Sequence, residues 1–232
     1  MSTDDMQGIA KNSKYFLYIG IFFVATLMIS NTIAAKLINV GPLVLSGATF
    51  IFPISYIFGD ILTEVYGYRA SRKIIWSGFA ALIFMSFCYW IVQILPTAPS
   101  WPNQNAYELI LGSVPRIVLA SMVAYFAGEF TNSYILSKMK VRMQGKQLWV
   151  RTIGSTVVGE GVDSVLFVLI AFAGILPLNI LFTIIISIYL FKVAYEIVIT
   201  PLTYLIVNKL KRAEGIDIYD KGISYNPFVL KE

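Results

Sequence analysis

The chain has 232 residues, of which 57% are hydrophobic, 15% aromatic and 13% charged, and its formal net charge is +5. Soluble domains carry about 45–50% apolar and about 25% charged residues, so this composition, with a mean hydropathy of +0.73, excludes a soluble globule and predicts an all-α, polytopic integral membrane protein. Spans of about 20 residues use up nearly the whole length, leaving no room for a nucleotide-hydrolysing domain, while the lack of a Walker loop and of any histidine removes phosphate-loop, His-metal and His acid–base chemistry.

In chain order, apolar runs predict a six-helix transmembrane bundle with spans near 15–38, 43–66, 73–95, 114–138, 151–174 and 178–208. Residues 1–14 then form an N-terminal segment, 15–208 the transmembrane domain and 209–232 a C-terminal tail. The first run lacks an A-x-A cleavage pattern and reads as a retained span instead of a signal peptide. Pro53 in the second run and Pro201 in the last predict a kink or break in each helix. Cys88, the single cysteine, lies in an apolar run and reads as a packing residue. Arg69, Arg72 and Lys73, then Lys138, Lys140, Arg142, Lys146 and Arg151, then Lys209, Lys211 and Arg212 alternate with a 96–112 loop and a 174–179 turn that hold no Lys or Arg. The positive-inside rule places the basic loops, and with them both termini, in the cytoplasm. The positive charge therefore reports orientation in a lipid bilayer, and no nucleic-acid partner is expected.

The informative residues are the charges a bilayer excludes, because an ionised side chain at mid-membrane costs at least a few kcal/mol. Asp60 and Glu64 lie one turn apart in the second span, Glu129 and Asn132 in the fourth, Glu160 and Asp163 in the fifth, and Lys192 and Glu196 in the sixth. Spacings of three and four put each pair on one helix face. Carboxylates outnumber the one clearly central cation, Lys192, so they need protons, waters or a ligand as partners. Glu129, Glu160, Asp163, Lys192 and Glu196 are expected to form a midplane site, with Lys192 and Glu196 as a mutual pair and Asp60 and Glu64 nearer the cytoplasmic rim. Tyr56-Ile-Phe-Gly59-Asp60 and Tyr125-Phe-Ala-Gly128-Glu129 form a faint repeat that sets an acid at similar depth in two spans. A carboxylate can accept two parallel bonds from an amidine-like N–H edge, and Phe52, Tyr56, Tyr125, Phe167 and Tyr195 offer stacking surfaces, so a flat heterocycle suits such a pocket. No metal or cofactor is expected. Small residues such as Gly154, Ser155 and Gly159 can pack helices within one chain or across a homodimer.

The stretches FPISYIFGDILTEVYGYRASRKIIW (Phe52 to Trp76), GEFTNSYILSKMK (Gly128 to Lys140) and RTIGSTVVGEGVDSVLFVLIAF (Arg151 to Phe172) closely resemble the queuosine precursor transporter family, which is related to vitamin uptake transporters. The resemblance runs from about Tyr15 to Lys211. It implies import of a 7-deazaguanine base, such as 7-cyano-7-deazaguanine, its aminomethyl relative or a queuine-like base, across a bacterial inner membrane for salvage into the tRNA nucleoside queuosine. On this expectation Glu129, Asn132, Glu160 and Asp163 hold the base edge beside Tyr56 and Tyr125, Lys192 and Glu196 form a pair broken during transport, and Asp60, Glu64 and Arg151 serve a gate or a proton site. Two other readings stand beside it. One is uptake of another vitamin or nucleobase by the substrate-binding subunit of an energy-coupling-factor importer, which needs a separate ATPase. The other is an intramembrane enzyme, for which neither paired aspartate motifs nor a metal-binding carboxylate set is present.

Overall fold

A computed structural model describes residues 13–33, 36–40, 43–112, 115–174 and 177–229. Most of the expected N-terminal segment 1–14 and the last residues of the tail lie outside them. Seven α-helices, a π-helical turn and a two-stranded hairpin are present among the described residues, where the sequence predicted six helices.

α1 (Phe16–Ile33) stops short of the expected residue 38, and Leu37 already belongs to a strand. Strand β1 (Leu37–Val40) pairs antiparallel with β2 (Leu43–Ser46), with Leu37 opposite Ser46 and Val40 opposite Leu43. Ladder hydrogen bonds across the pair take up the backbone groups that face between the two strands, where the helix is interrupted. α2 (Ala48–Ile61) therefore starts five residues later than the expected 43. Pro53 sits inside α2 and Pro201 inside α7, yet neither helix is divided there. The break falls instead at the π-helical turn Leu62–Tyr66, followed by Gly67 at φ +85°. That backbone conformation is open almost only to glycine.

α3 (Tyr68–Ile94) leads to a loop holding a short helix, α4 (Gln104–Leu111), with Leu109 and Ile110 exposed. α5 (Pro115–Arg142), α6 (Leu148–Phe172) and α7 (Leu178–Glu214) complete the bundle. Four of these helices, α1, α3, α6 and α7, are long and apolar enough to cross a membrane, and the exposed side chains along them are large and hydrophobic. The chain is a multi-pass membrane protein. α2 has only 14 residues before its π turn, and α5 carries Glu129, Lys138, Lys140 and Arg142.

Glycine brings α5 and α6 together. A Cβ on Gly159 would lie 2.9 Å from the Gly128 carbonyl oxygen and 2.8 Å from Asn132 Cβ, so only hydrogen at both positions lets the backbones approach. Gly59 likewise lets α2 pass against the Glu129 side chain. The glycines of the faint repeat thus serve helix contact within the chain. An aromatic core of Phe23, Phe79, Tyr125, Trp76, Phe126 and Phe130 fills the space between α1, α3 and α5.

The start of the described chain meets the end of α7. Glu214, the last residue of α7, accepts hydrogen bonds from Ser13 Oγ (2.8 Å) and from the Lys14 and Tyr15 backbone N–H groups (3.0 and 2.7 Å). A carboxylate there satisfies N–H donors left open at the start of α1 and complements its dipole. Beyond α7 the tail folds back across α3 and α5. Tyr68 N–H donates to Asp220 (2.9 Å), Arg72 donates to the Ser224 and Asn226 carbonyls (3.2 and 2.6 Å), and Trp76 Nε1 donates to the Pro227 carbonyl (2.8 Å).

Candidate functional site

α2 presents Tyr56 and Asp60 four residues apart on one face, the π turn that follows presents Glu64, and each of the three is buried. Each meets a different set of partners, which divides the polar interior into a central cluster and a cluster at the end where the termini lie.

In the central cluster, Lys192 of α7 forms ion pairs with Glu160 (2.9 Å) and Asp163 of α6 and lies 3.4 Å from the Tyr56 hydroxyl, to which it donates. Its ammonium also stands over the rings of Phe52 and Tyr56, 5.5 and 5.3 Å from their centroids. Tyr56 and Tyr125 are 5.6 Å apart, and Phe52 packs edge-on against both. The repeat in the sequence therefore brings its two tyrosines to one place. The expected Lys192–Glu196 pair is not the one that forms. Two carboxylates one turn apart on α6 offer the ammonium more than a single carboxylate on its own helix, and Glu196 instead accepts from Thr200 Oγ1 (3.4 Å).

Glu129 accepts from Ser133 (3.3 Å), which itself accepts from Thr63 (3.1 Å). Asn132 Nδ2 donates to Asp60 Oδ1 at 2.7 Å, so Asp60 belongs with α5 and the central residues and not with Glu64. Asp60 Oδ2 and Asn132 Oδ1 are buried acceptors with no hydrogen-bond partner among the described residues. The sum is five buried carboxylates, Asp60, Glu129, Glu160, Asp163 and Glu196, served by the single cation Lys192 among the described residues. Buried acceptors left open cost about 1–3 kcal/mol each, so further N–H or O–H donors would be stabilising at this centre.

The second cluster centres on Glu64, which the π turn carries into the packed interior. Arg151 of α6 forms an ion pair with Glu64, and Lys211 of α7 pairs with its Oε1 at 2.6 Å. Lys140 of α5 stands 3.7 Å from the same oxygen and donates to the Glu64 carbonyl (2.5 Å) and the Ile218 carbonyl (2.6 Å). Arg151 also donates to the carbonyls of Lys146 and Gly145, both at 3.0 Å. Asp217 of the tail pairs with Lys140 (2.6 Å) and Lys211 (3.0 Å). Burial alone pushes the Asp217 carboxyl up, but the two ammonium groups outweigh it and hold the carboxyl below its ordinary range. One carboxylate thus ties α2, α5, α6 and α7 together, and the tail closes over the knot.

Sequence reasoning named Glu64 and Arg151 but read Lys140 and Lys211 only as loop charges. Lys140 is 1% exposed. Its place four residues after buried Leu136 and eight after Asn132, on the inward face of α5, is the signal that could have found it. Asp217 and Asp220 have no such signal, because an irregular tail has no periodicity.

Apolar helices long enough to cross a membrane around a buried acidic and aromatic centre, with an ion-paired knot at one end, define a multi-pass membrane protein with a polar intramembrane interior. The chain belongs to the family described as "Putative vitamin uptake transporter", whose model matches residues 46–206. That family consists of transporters and not of enzymes. The chain is similar to the "Probable queuosine precursor transporter" of Bacillus subtilis (strain 168), at 34% identity over 146 residues, 62% of this chain and 64% of that protein. It is also similar to the "Queuosine precursor transporter" of Escherichia coli (strain K12), at 23% identity over 159 residues, 68% of this chain and 69% of that protein. The chain thus aligns with somewhat less than two thirds of the Bacillus subtilis relative. No solved structure matches the chain.

Proposed function

We propose that the chain imports a queuosine precursor, a 7-deazaguanine such as 7-cyano-7-deazaguanine, 7-aminomethyl-7-deazaguanine or a queuine-like base, across a bacterial cytoplasmic membrane. The observation that carries this reading is the pairing of Lys192 with Glu160 and Asp163 beside an aromatic corner made by Phe52, Tyr56 and Tyr125, in an interior that also buries Asp60, Glu129 and Glu196. A deazaguanine presents adjacent ring N–H and amino donors along one edge and a flat face for stacking. The printed names of the two relatives point to the same class of cargo.

Glu129, Asn132, Glu160 and Asp163 take the donor edge, and Tyr56 and Tyr125 take the ring faces. Lys192 releases a carboxylate to the incoming donor and keeps the other. Asp60 and Glu196 supply acceptors deeper in the bundle or a proton site. The Glu64–Arg151 knot is the gate on the terminal side. Six crossings with α2 and α5 as spans put both termini in the cytoplasm, in keeping with the meeting of Ser13–Tyr15 and Glu214 at the end where Lys140 and Arg151 lie.

The test is uptake of labelled 7-cyano-7-deazaguanine into proteoliposomes holding the purified protein alone, with and without a pH gradient. Saturable uptake that is lost in Glu160→Ala and Asp163→Ala, at normal expression, supports the assignment. Unchanged uptake in those variants overturns the site. Uptake of a vitamin instead, or activity only with a copurified ATPase, selects the energy-coupling-factor reading that the family description also suits.

A further inference from the structure

The exposed face of α5 near its basic end carries Tyr134, Lys138 and Arg142, spaced four residues apart and therefore stacked in one stripe. The opposite face of the same turns buries Ser133, Leu136, Ser137 and Lys140. The C-terminal tail runs alongside this stripe and leaves an open groove between itself and α5. Ile135, Met139 and Ile223 give the groove apolar walls, and Lys138, Arg142 and Lys221 give it three cations. None of these three has an ion-pair partner among the described residues. The acid in the groove, Asp220, is turned inward, where it accepts from Tyr68 N–H and Ser137 Oγ. Lys138 is bracketed by two tyrosines, its ammonium 4.3 Å from the Tyr225 ring centroid and 5.7 Å from that of Tyr134. Trp149, at the start of α6 just past the same end of the bundle, is 55% exposed. Exposed Trp and Tyr beside cations mark the level of lipid headgroups.

We propose that this groove holds the headgroup of one anionic phospholipid, with its phosphodiester against Lys138, Arg142 and Lys221 and an acyl chain along Ile135 and Met139. A guanidinium and two ammonium groups attract an anionic phosphodiester and donate to its oxygens, and the apolar walls match the chain, which a free phosphate cannot use. Because residues 220–225 form one wall, the lipid also pins the tail against α5. This site is separate from the transport centre, so its test does not depend on the identity of the cargo.

The wild-type protein and the triple variant Lys138→Gln, Arg142→Gln, Lys221→Gln are reconstituted in nanodiscs of phosphatidylcholine with a minor fraction of phosphatidylglycerol, and retained lipid is counted by native mass spectrometry. Each cation near an anionic lipid contributes about fivefold to affinity, so the wild type is expected to retain one phosphatidylglycerol that the variant binds about 100-fold more weakly. Backbone exchange at residues 220–225 is expected to rise in the variant and in pure phosphatidylcholine. The proposal is overturned by equal retention in both proteins, by equal retention of the two lipids, or by binding of inorganic phosphate with no preference for the lipid. A single variant, Lys221→Gln, lies in the tail outside the helices and gives the same reading, with a smaller change, should the triple variant fail to fold.

Discussion

Replacing Glu64 by glutamine keeps the shape of the side chain and removes the charge on which Arg151, Lys211 and Lys140 converge. Arg151 and Lys140 are each 1% exposed, so water cannot take over the lost interaction. Lys140 and Lys211 keep Asp217, but Arg151 keeps only the carbonyls of Gly145 and Lys146. Breaking a buried pair by removing one partner costs about 3–5 kcal/mol. The glutamine oxygen still accepts one charged bond, which places this variant near the lower end, about 3 kcal/mol. For a chain of this size that is a fall in Tm of about 6–12 °C. The assay is thermal unfolding of the protein in lipid nanodiscs, for Glu64→Gln, Arg151→Gln and the double variant. Removing both partners leaves no orphaned charge of that pair, so the double variant should lose clearly less than the sum of the singles. A Tm for Glu64→Gln equal to that of the wild type, or strict additivity in the double variant, would refute the claim that the knot holds the four elements together.

Gly67→Ala places a side chain at φ +85°, with its Cβ 2.8 Å from Ile218 Cγ2 and 2.9 Å from Asp220 Oδ1; a loss of about 1–3 kcal/mol and faster proteolysis after Gly215 are expected, and unchanged cleavage counts against the tail contact. Gly159→Val forces α5 and α6 apart at the closest backbone approach, at a cost of about 1–3 kcal/mol, read as lower Tm and lower uptake, whereas Gly174→Val, in open space but also at positive φ, should affect Tm through backbone strain alone. Tail docking should depend on pH with two signs. Burial raises the Asp220 carboxyl above 3.8 despite its bonds from Ser137 and Tyr68 and the nearby Lys140 and Arg69, so the docked tail holds a proton more readily than the free tail and docking strengthens as pH falls from neutral through that raised value. Asp217 is held below 3.8, so its contribution is present above that value and is lost only as pH falls through the lower one. Backbone exchange at residues 216–228 across the pH range checks both, and Asp220→Asn should abolish the strengthening.

The apolar runs and the intramembrane acids were legible in the sequence because the bilayer acts on each segment separately. A run of about 20 apolar residues is a span whatever its neighbours do, and a carboxylate within it must face inward. The helix ends near Ile94, Phe172 and the start of α7 follow from that local rule. The same rule missed the hairpin at Leu37–Ser46, and the kink or break that proline chemistry suggested at Pro53 leaves α2 undivided, the helix changing to a π turn at Leu62 instead.

Which charges meet was decided only by tertiary structure. Lys192 and Glu196 are correctly spaced on one helix, but pairing depends on what the adjacent helix offers, and α6 offers Glu160 and Asp163. Asp60 and Glu64 are one turn apart, but the close approach at Gly59 and Gly128 turns one toward Asn132 while the π turn delivers the other to Arg151. Lys140 lies on α5, Lys211 at the end of α7 and Asp217 in the irregular tail beyond it, and the three share no local pattern. Coulomb attraction acts through space, so a sequence can list the charges of this protein, whereas only the packing of its helices assigns their partners.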